Sequence, residues 1–473
     1  MKYKMSMFNY VVDNKTELRL YNSLRGTNSL LIIRGKNYEK VKKIIEKEDL
    51  EIDLDDNIIN KLIQFGFLVD SGVDERLLLE GTLSSIINYP KLHLVIMPTE
   101  DCNFRCVYCY EDHKKGKMTL ETQNAVLNFV RKNIKYYTGL TVGWFGGEPL
   151  EAIDVIKNLS NEFIRICNVA RKPYRAGMTT NAYDLTGKVY RELYKLHVYE
   201  YQISIDGLKE EHDKTRKFAD GTGTFEKIIA NIREIINIKD IAASDIVIRT
   251  NFTKSIAKRL PEYIQFYDEL LQGDPRFSIQ INVASDWGGE SVKQMSNDLL
   301  NIKEYIDLFS QIKQYKNCLI FAFHLQELNP GEFKCYAARK NSYCIGSDAK
   351  IYKCTENFNM PENNIGFLSP EGNMHLNEYY TALWANAERI TDNSKCQTCN
   401  YSGCCLYSPC PLNSIKNVGR QPVCPRTKGN IINLLKLLNE DFFQLLNRSR
   451  ICIQLLLNHW RKLVYVLMWI LKR

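Results

Sequence analysis

The stretch DCNFRCVYCY, residues 101–110, brings three cysteines, Cys102, Cys106 and Cys109, into one short loop. Three thiolates can hold three irons of a [4Fe-4S] cluster and leave the fourth iron without a protein ligand, open to a small molecule. The mostly apolar run Leu92 to Met97 just upstream reads as the strand that delivers this loop. A zinc site is the alternative for a cysteine triad, because zinc takes four Cys or His ligands and His113 can supply the fourth.

Working outward, Thr141 to Phe145 reads as a second strand running into Gly146, Gly147, Glu148 and Pro149. Two glycines let the backbone come close to a ligand, and the adjacent carboxylate can accept hydrogen bonds from an ammonium group. Strand and helix patterns then alternate, with strands expected near 92–97, 140–145, 174–180, 199–205, 245–251 and 277–283. Helices are expected near 120–134, 152–169, 184–197, 224–237, 256–271 and 298–315. This is the pattern of βα units and a parallel sheet, too few for a closed eight-stranded barrel. Polar residues at the strand ends are candidates by position: Asn181, Ser204, Asp206, Arg249 and Asn251, with His212, Asp213 and Arg216 just beyond the fourth strand. Helix capping, surface ion pairing or, for Asp206, a plain turn would also account for such residues.

The triad, with Tyr108 as the aromatic between its last two cysteines, resembles the signature of the radical S-adenosylmethionine (SAM) enzymes. The resemblance implies an α/β fold, a partial (β/α)6 barrel, with a SAM-binding [4Fe-4S] cluster on Cys102, Cys106 and Cys109. The open iron would bind the amino and carboxylate groups of SAM, and one electron would cleave SAM to methionine and a 5′-deoxyadenosyl radical. Tyr108, Gly146, Gly147, Glu148, Pro149, Asn181, Ser204, Arg216 and Arg249 become the SAM-contact candidates. The family usually has a glycine after the asparagine, where Ala182 stands here.

Beyond residue 330 cysteines become frequent: of 15 in the chain, nine fall between Cys335 and Cys424. The N-terminus lacks a secretory pattern, so a cytoplasmic chain with metal-bound thiols is expected in preference to disulfides. The order Cys335, Cys354, Cys396-x2-Cys399-x5-Cys405-x4-Cys410, Cys424 is similar to the SPASM domain, which carries two auxiliary [4Fe-4S] clusters. Ala349 replaces the family glycine, the gap from Cys405 to Cys410 is one residue longer than the family's, and the doublet Cys404 and Cys405 leaves the third ligand of the motif ambiguous. Spacing from Cys399 selects Cys405. By the family's interleaved arrangement, Cys335, Cys354 and Cys410 would hold the first cluster, with Cys344 a fourth ligand unless that cluster keeps an open iron. Cys396, Cys399, Cys405 and Cys424 would hold the second. Without the triad, a four-cysteine zinc ribbon would be the preferred reading of Cys396 to Cys424.

The chain therefore divides into a small N-terminal α+β unit (1–85), the barrel (86–330), the Cys-rich SPASM unit (331–428) and an apolar-basic helical tail (429–473). The N-terminal stretch reads as a β-meander followed by helices near 37–47 and 55–64, similar to the leader-recognition region of radical SAM peptide maturases. An edge strand there would take up an extended leader peptide; a structural cap on the barrel is the other reading. The tail's longest apolar run, Leu463 to Leu471, is too short to span a bilayer, and protein contact is preferred over an amphipathic helix on a membrane surface. The net charge of +8 on 473 residues is modest, and the absence of a basic block interleaved with aromatics argues against nucleic acid.

The expected function is a radical SAM maturase that abstracts hydrogen from a ribosomally made precursor peptide and forms a thioether or C–C cross-link. The auxiliary clusters would accept the second electron, and flavodoxin or ferredoxin would be the electron donor. Two alternatives stand beside it: an anaerobic sulfatase-maturing enzyme that makes formylglycine, and a noncatalytic iron-sulfur electron carrier.

Overall fold

The computed structural model describes residues 2–47, 50–51, 55–111, 113, 115–283, 298–301, 304, 307–308, 311, 328–331, 334–408 and 410–437. Six parallel strands form the centre: β7 (Leu92–Ile96), β8 (Leu140–Trp144), β9 (Tyr174–Thr180), β10 (Val198–Ser204), β11 (Asp245–Phe252) and β12 (Phe277–Val283). They lie side by side in chain order, as consecutive right-handed βα units dictate. The helices between them carry one apolar face. In Ile153–Val169, for example, Val155, Ile156, Leu159, Phe163 and Ile166 are buried, a helical stripe turned to the sheet. Thr119 and Thr186 cap the helices Leu120–Asn133 and Gly187–Lys195 by accepting from Thr122 and Val189 backbone N–H groups.

All six expected strands form within a residue or two. The helix expected over 256–271 is instead two, Lys254–Lys258 and Leu260–Leu271, because Pro261 sits in the first turn of the second and has no N–H to continue the first. The expected helix near 298–315 lies mostly outside the described residues.

The sheet continues past residue 330. β13 (Ser342–Ile345) pairs parallel with β7, and β14 (Lys350–Tyr352), β15 (Asn364–Leu368) and β16 (Met374–Leu376) follow antiparallel, giving a ten-stranded mixed sheet. The hairpin joining β13 to β14 is closed by Gly346 N–H donating to Lys350 O and Ala349 N–H to Gly346 O, with Ala349 at φ 63°. A three-residue hairpin loop of this kind ends in a left-handed residue, normally glycine. Ala182, after β9, is likewise left-handed at φ 61°. Both departures from the family glycines thus fall where a Cβ is disfavoured.

Before the barrel stand two small antiparallel sheets. One is β2 (Asn9–Asp13), β3 (Glu17–Asn22) and β4 (Leu31–Arg34); the other joins β1 (Lys2–Met5) to β5 (Leu50–Glu51) and β6 (Leu68–Asp70). The first matches the expected meander, and helices Lys36–Ile45 and Asn57–Gln64 follow it. Leu18, Leu20 and Ile33 pack on those helices, whereas Tyr10, Val12 and Tyr21 face Tyr401, Ile431 and Leu435 from the far end of the chain. The helix Ile431–Leu437 is held there by Arg19, whose Nη1 donates to the Leu435 and Lys436 carbonyls at 3.0 and 2.8 Å. The tail from 438 on, with its membrane-surface alternative, lies outside the described residues, among which no helix is long and apolar enough to cross a membrane.

Ala349→Gly should stabilise the protein by about 1 kcal/mol, since a left-handed L-residue costs roughly that much. Thermal unfolding would register it as a Tm rise of about 1 °C, and an unchanged or lower Tm would refute the strain.

Candidate active site

The triad loop leaves β7 and lies against the segment after β10. Arg105 N–H donates to Lys217 O at 2.7 Å, Val107 N–H to Thr215 O at 2.9 Å, and Phe104 stacks edge-on against Phe218. The turn after β8 locks onto the same loop from the other side. Gly147 and Glu148 N–H groups donate to the Thr99 and Asp101 carbonyls at 3.4 and 2.9 Å. A Cβ on Gly146 would lie 2.2 Å from Thr99 O, and one on Gly147 2.0 Å from Asp101 O. The glycines therefore admit the backbone that carries Cys102, a reason different from the close approach to a ligand expected from sequence.

Glu148 is 1% exposed and reaches toward the end of β9. It accepts from Thr180 Oγ1 and the Asn181 N–H at 2.7 Å, and from the Leu150 N–H at 3.0 Å. Burial pushes its carboxyl up to about 7, even against these donors, which favour the charged form. Asn181 Nδ2 in turn donates to Asn103 Oδ1 at 2.8 Å, tying β9 to the triad loop.

Asp206 is the residue whose part sequence reasoning missed. Two per cent exposed, it accepts from the Tyr108 hydroxyl, from Thr215 Oγ1 at 3.1 Å and from the Asn251 N–H at 3.3 Å. Arg216 Nη1 donates to the same Tyr108 hydroxyl at 2.8 Å, and Arg216 Nε is buried with no partner among the described residues. Tyr108, Asp206, Arg216 and Asn251 thus form one network beside Cys106. Burial disfavours the Arg216 charge, but Cys106, Tyr108 and Asp206 together hold its pKa well above the ordinary arginine value. His212 and Asp213 support it from behind. His212, driven down to about 3 by burial and the Arg216 charge, accepts the Asp206 N–H, and Asp213 accepts the Thr224 and Phe225 N–H groups.

Ser204, the last residue of β10, pairs in register with Arg249 on β11. Arg249 Nε lies 2.6 Å from the Asn282 side-chain oxygen in the amide orientation that satisfies both groups. It also faces Glu356, a carboxyl raised by burial and drawn back by this arginine. Glu356 carried no motif to flag it, though it follows Cys354 by two residues. His113, the alternative fourth ligand, has Nε2 3.8 Å from Cys109 Sγ and Nδ1 3.2 Å from Glu100 O.

The later cysteines fall into two electrostatic groups. Cys335 is raised to about 11 by burial, with Cys410 adding to it; Cys354 is raised by burial, Cys335 and Cys344. Cys344, fully buried on β13, is raised to about 12. In the second group, burial together with Cys399, Cys396 and Cys424 raises Cys405 to about 12. Cys404 points elsewhere: its Sγ hydrogen-bonds the Tyr21 hydroxyl at 2.7 Å and the Ser23 carbonyl at 3.2 Å. Burial also raises Cys102, Cys106 and Cys109, the last to about 11. Clustered thiols held protonated by burial and mutual repulsion are suited to a cationic iron core, which stabilises their thiolates. Among the described residues, no three His, Cys, Asp or Glu side chains converge on a single-ion site.

Residues 96–254 match the family model of the radical SAM superfamily. The chain carries a radical SAM domain. It is an enzyme's domain, and the superfamily implies a [4Fe-4S] cluster and SAM. Over 350 residues, 69% of this chain and 89% of the relative, the chain is 25% identical to the cysteine-type anaerobic sulfatase-maturating enzyme of Clostridium novyi (strain NT). The fold is that of native anSMEcpe with bound AdoMet and Cp18Cys peptide, at TM-score 0.56 and 18% identity, over 76% of this chain and 99% of that one. Streptococcus suis SuiB bound to precursor peptide SuiA is similar over 88% of this chain and 97% of its own, at TM-score 0.50 and 18% identity.

Gly147→Ala should dislodge the loop that carries Cys102 and lower SAM cleavage about 100-fold, as misplacement by an ångström does, while circular dichroism stays native. Full cleavage activity in that variant would refute the interlock. Glu148, raised above its unfolded value, costs stability as pH climbs through about 7 and costs none in acid. In cluster-free protein Glu148→Gln should therefore gain on wild type by about 2 kcal/mol between pH 5 and pH 8, read as the difference in Tm; parallel pH profiles would contradict the buried charge.

Proposed function

We propose that this radical SAM enzyme is a maturase that modifies a peptide, forming a thioether or C–C cross-link in a ribosomally made precursor. When bound, the clusters and SAM would supply a 5′-deoxyadenosyl radical to take a hydrogen atom from the substrate and acceptors for the electron then released. Cys102, Cys106 and Cys109 would hold the SAM-binding cluster. Glu148, with Gly146, Gly147 and Pro149 shaping its turn, would receive the SAM amino group. Asn181, Ser204, Arg216 and Arg249 would contact SAM beside it, and Arg216 Nε, buried without a partner among the described residues, is suited to the SAM carboxylate. Cys335, Cys344, Cys354 and Cys410 would hold one auxiliary cluster, and Cys396, Cys399, Cys405 and Cys424 the other. A flavodoxin or ferredoxin in the cytoplasm would donate electrons.

The observation that carries the peptide reading is the N-terminal unit. The likeness to SuiB covers more of this chain than the likeness to anSMEcpe, and residues 2–87 are large enough to account for the difference. β4, half exposed at the edge of its sheet, is suited to pairing with an extended leader. The second reading, oxidation of a sulfatase cysteine or serine to formylglycine, is favoured by the relative in Clostridium novyi, most of whose length aligns here.

Anaerobic co-expression with a neighbouring short Cys-rich peptide, followed by mass analysis, separates the two: loss of two hydrogens per site supports the cross-link. An unchanged short peptide, together with loss of sulfur from a sulfatase-derived cysteine peptide, supports the second reading. Cys106→Ala should abolish both SAM cleavage and product, whereas Cys399→Ala should spare abortive cleavage and abolish product. Product formed by either variant would defeat either reading.

A further inference from the structure

Lys334 directly precedes Cys335 and is 4% exposed, an ammonium sealed inside the cysteine-rich region. Its Nζ donates to Ser408 O at 2.7 Å and Leu406 O at 3.4 Å. Those carbonyls belong to the short segment between Cys405 of one cysteine group and Cys410 of the other. Leu406 and Tyr407 are both left-handed there, at φ 50° and 69°, an arrangement disfavoured for residues with a Cβ. The one extra residue between Cys405 and Cys410 is thus taken up in a distorted bend whose carbonyls turn to Lys334. Lys334 adjoins Cys335 of one group in the chain, and its hydrogen bonds hold the ammonium on the segment that joins Cys405 of the other group to Cys410. The other buried lysine nearby, Lys353, donates to the Arg339 and Ser342 carbonyls, both between Cys335 and Cys344 of the first group.

Resting on the auxiliary-cluster reading, we propose that Lys334 is a shared positioning charge for the two auxiliary sites, raising the reduction potential of both. A thiolate-ligated cluster is anionic and becomes more so on gaining an electron, so a fixed cation in a low-dielectric interior favours the reduced form. Both sites then become better acceptors for the single electron released, with a proton, when a substrate radical closes its new bond. The hydrogen bonds to residues 406 and 408 keep the ammonium between the groups.

The test uses the full chain with Cys102, Cys106 and Cys109 all changed to Ala, so that only auxiliary iron is counted. Iron and sulfide assays and an EPR-monitored redox titration are compared for this parent, K334M, K334Q and K334R. The parent should hold about eight irons. K334M and K334Q should keep them with both potentials moved negative, and K334R should stay near the parent. Unmoved potentials in both neutral variants at full iron, or a shift confined to one potential, would overturn the shared charge. Iron lost from both neutral variants would reduce Lys334 to a clamp and overturn it equally. A parent that holds no iron would instead overturn the auxiliary-cluster reading, and this inference with it.

Discussion

The interlock of two backbone turns governs the rest of the site. Gly146 and Gly147 lie so close to the Thr99 and Asp101 carbonyls that no side chain fits between them, and the Gly147 and Glu148 N–H groups bind those same carbonyls. A loop of three cysteines has little regular structure of its own, and its buried thiols repel one another once ionised. Its shape therefore has to be imposed from outside, by the β8 turn on one side and by the Thr215 and Lys217 carbonyls on the other. Strand ends in a parallel barrel are the rigid platform for such work, which is why the candidate side chains converge there.

Much of this was legible in the sequence. Parallel strands buried on both faces read as apolar runs, and the helices between them read by their stripes, so β7 to β12 could be placed within a residue or two. The cysteine spacing selects Cys405 over Cys404 as a ligand candidate, and Cys404 Sγ is hydrogen-bonded to the Tyr21 hydroxyl and the Ser23 carbonyl. What the sequence hid has a common physical character: it depends on pairing across long separations. Asp206 reads in sequence as a strand-end candidate or a turn residue with no assigned role, because its partners Tyr108 and Asn251 lie far off along the chain. Glu356 stood out by no motif. The parallel pairing of β13 with β7 was equally hidden, since a strand's hydrophobic pattern does not name its partner.

The two alanines at family-glycine positions show why a departure must be judged by backbone geometry. Ala182 and Ala349 could be read in sequence only as small residues replacing a smaller one. Both sit at positive φ, so the family glycine there is a backbone requirement and the alanine a tolerated strain. Each is surrounded by hydrogen bonds that over-determine it: Thr180 Oγ1 accepts the Ala182 N–H, and the Ala349 carbonyl accepts from Leu368.

The divisions drawn from sequence at residues 85, 330 and 428 separate patterns, but the physical contacts run across all of them. The barrel sheet extends into β13, and the loop with Cys399 and Cys405 is seated on the N-terminal meander. Ser23 Oγ donates to the Asn400 carbonyl, Tyr21 holds Cys404, and a Cβ on Gly403 would strike Leu24 N at 2.5 Å. Arg19, on the same strand, holds the helix that follows Cys424. A cysteine group whose loops are anchored on segments more than 370 residues apart cannot be assembled by local folding alone. Its geometry exists only once the N-terminal sheet has docked, so an unfolded chain offers no preformed site and any metal bound there adds its binding energy to the docking itself.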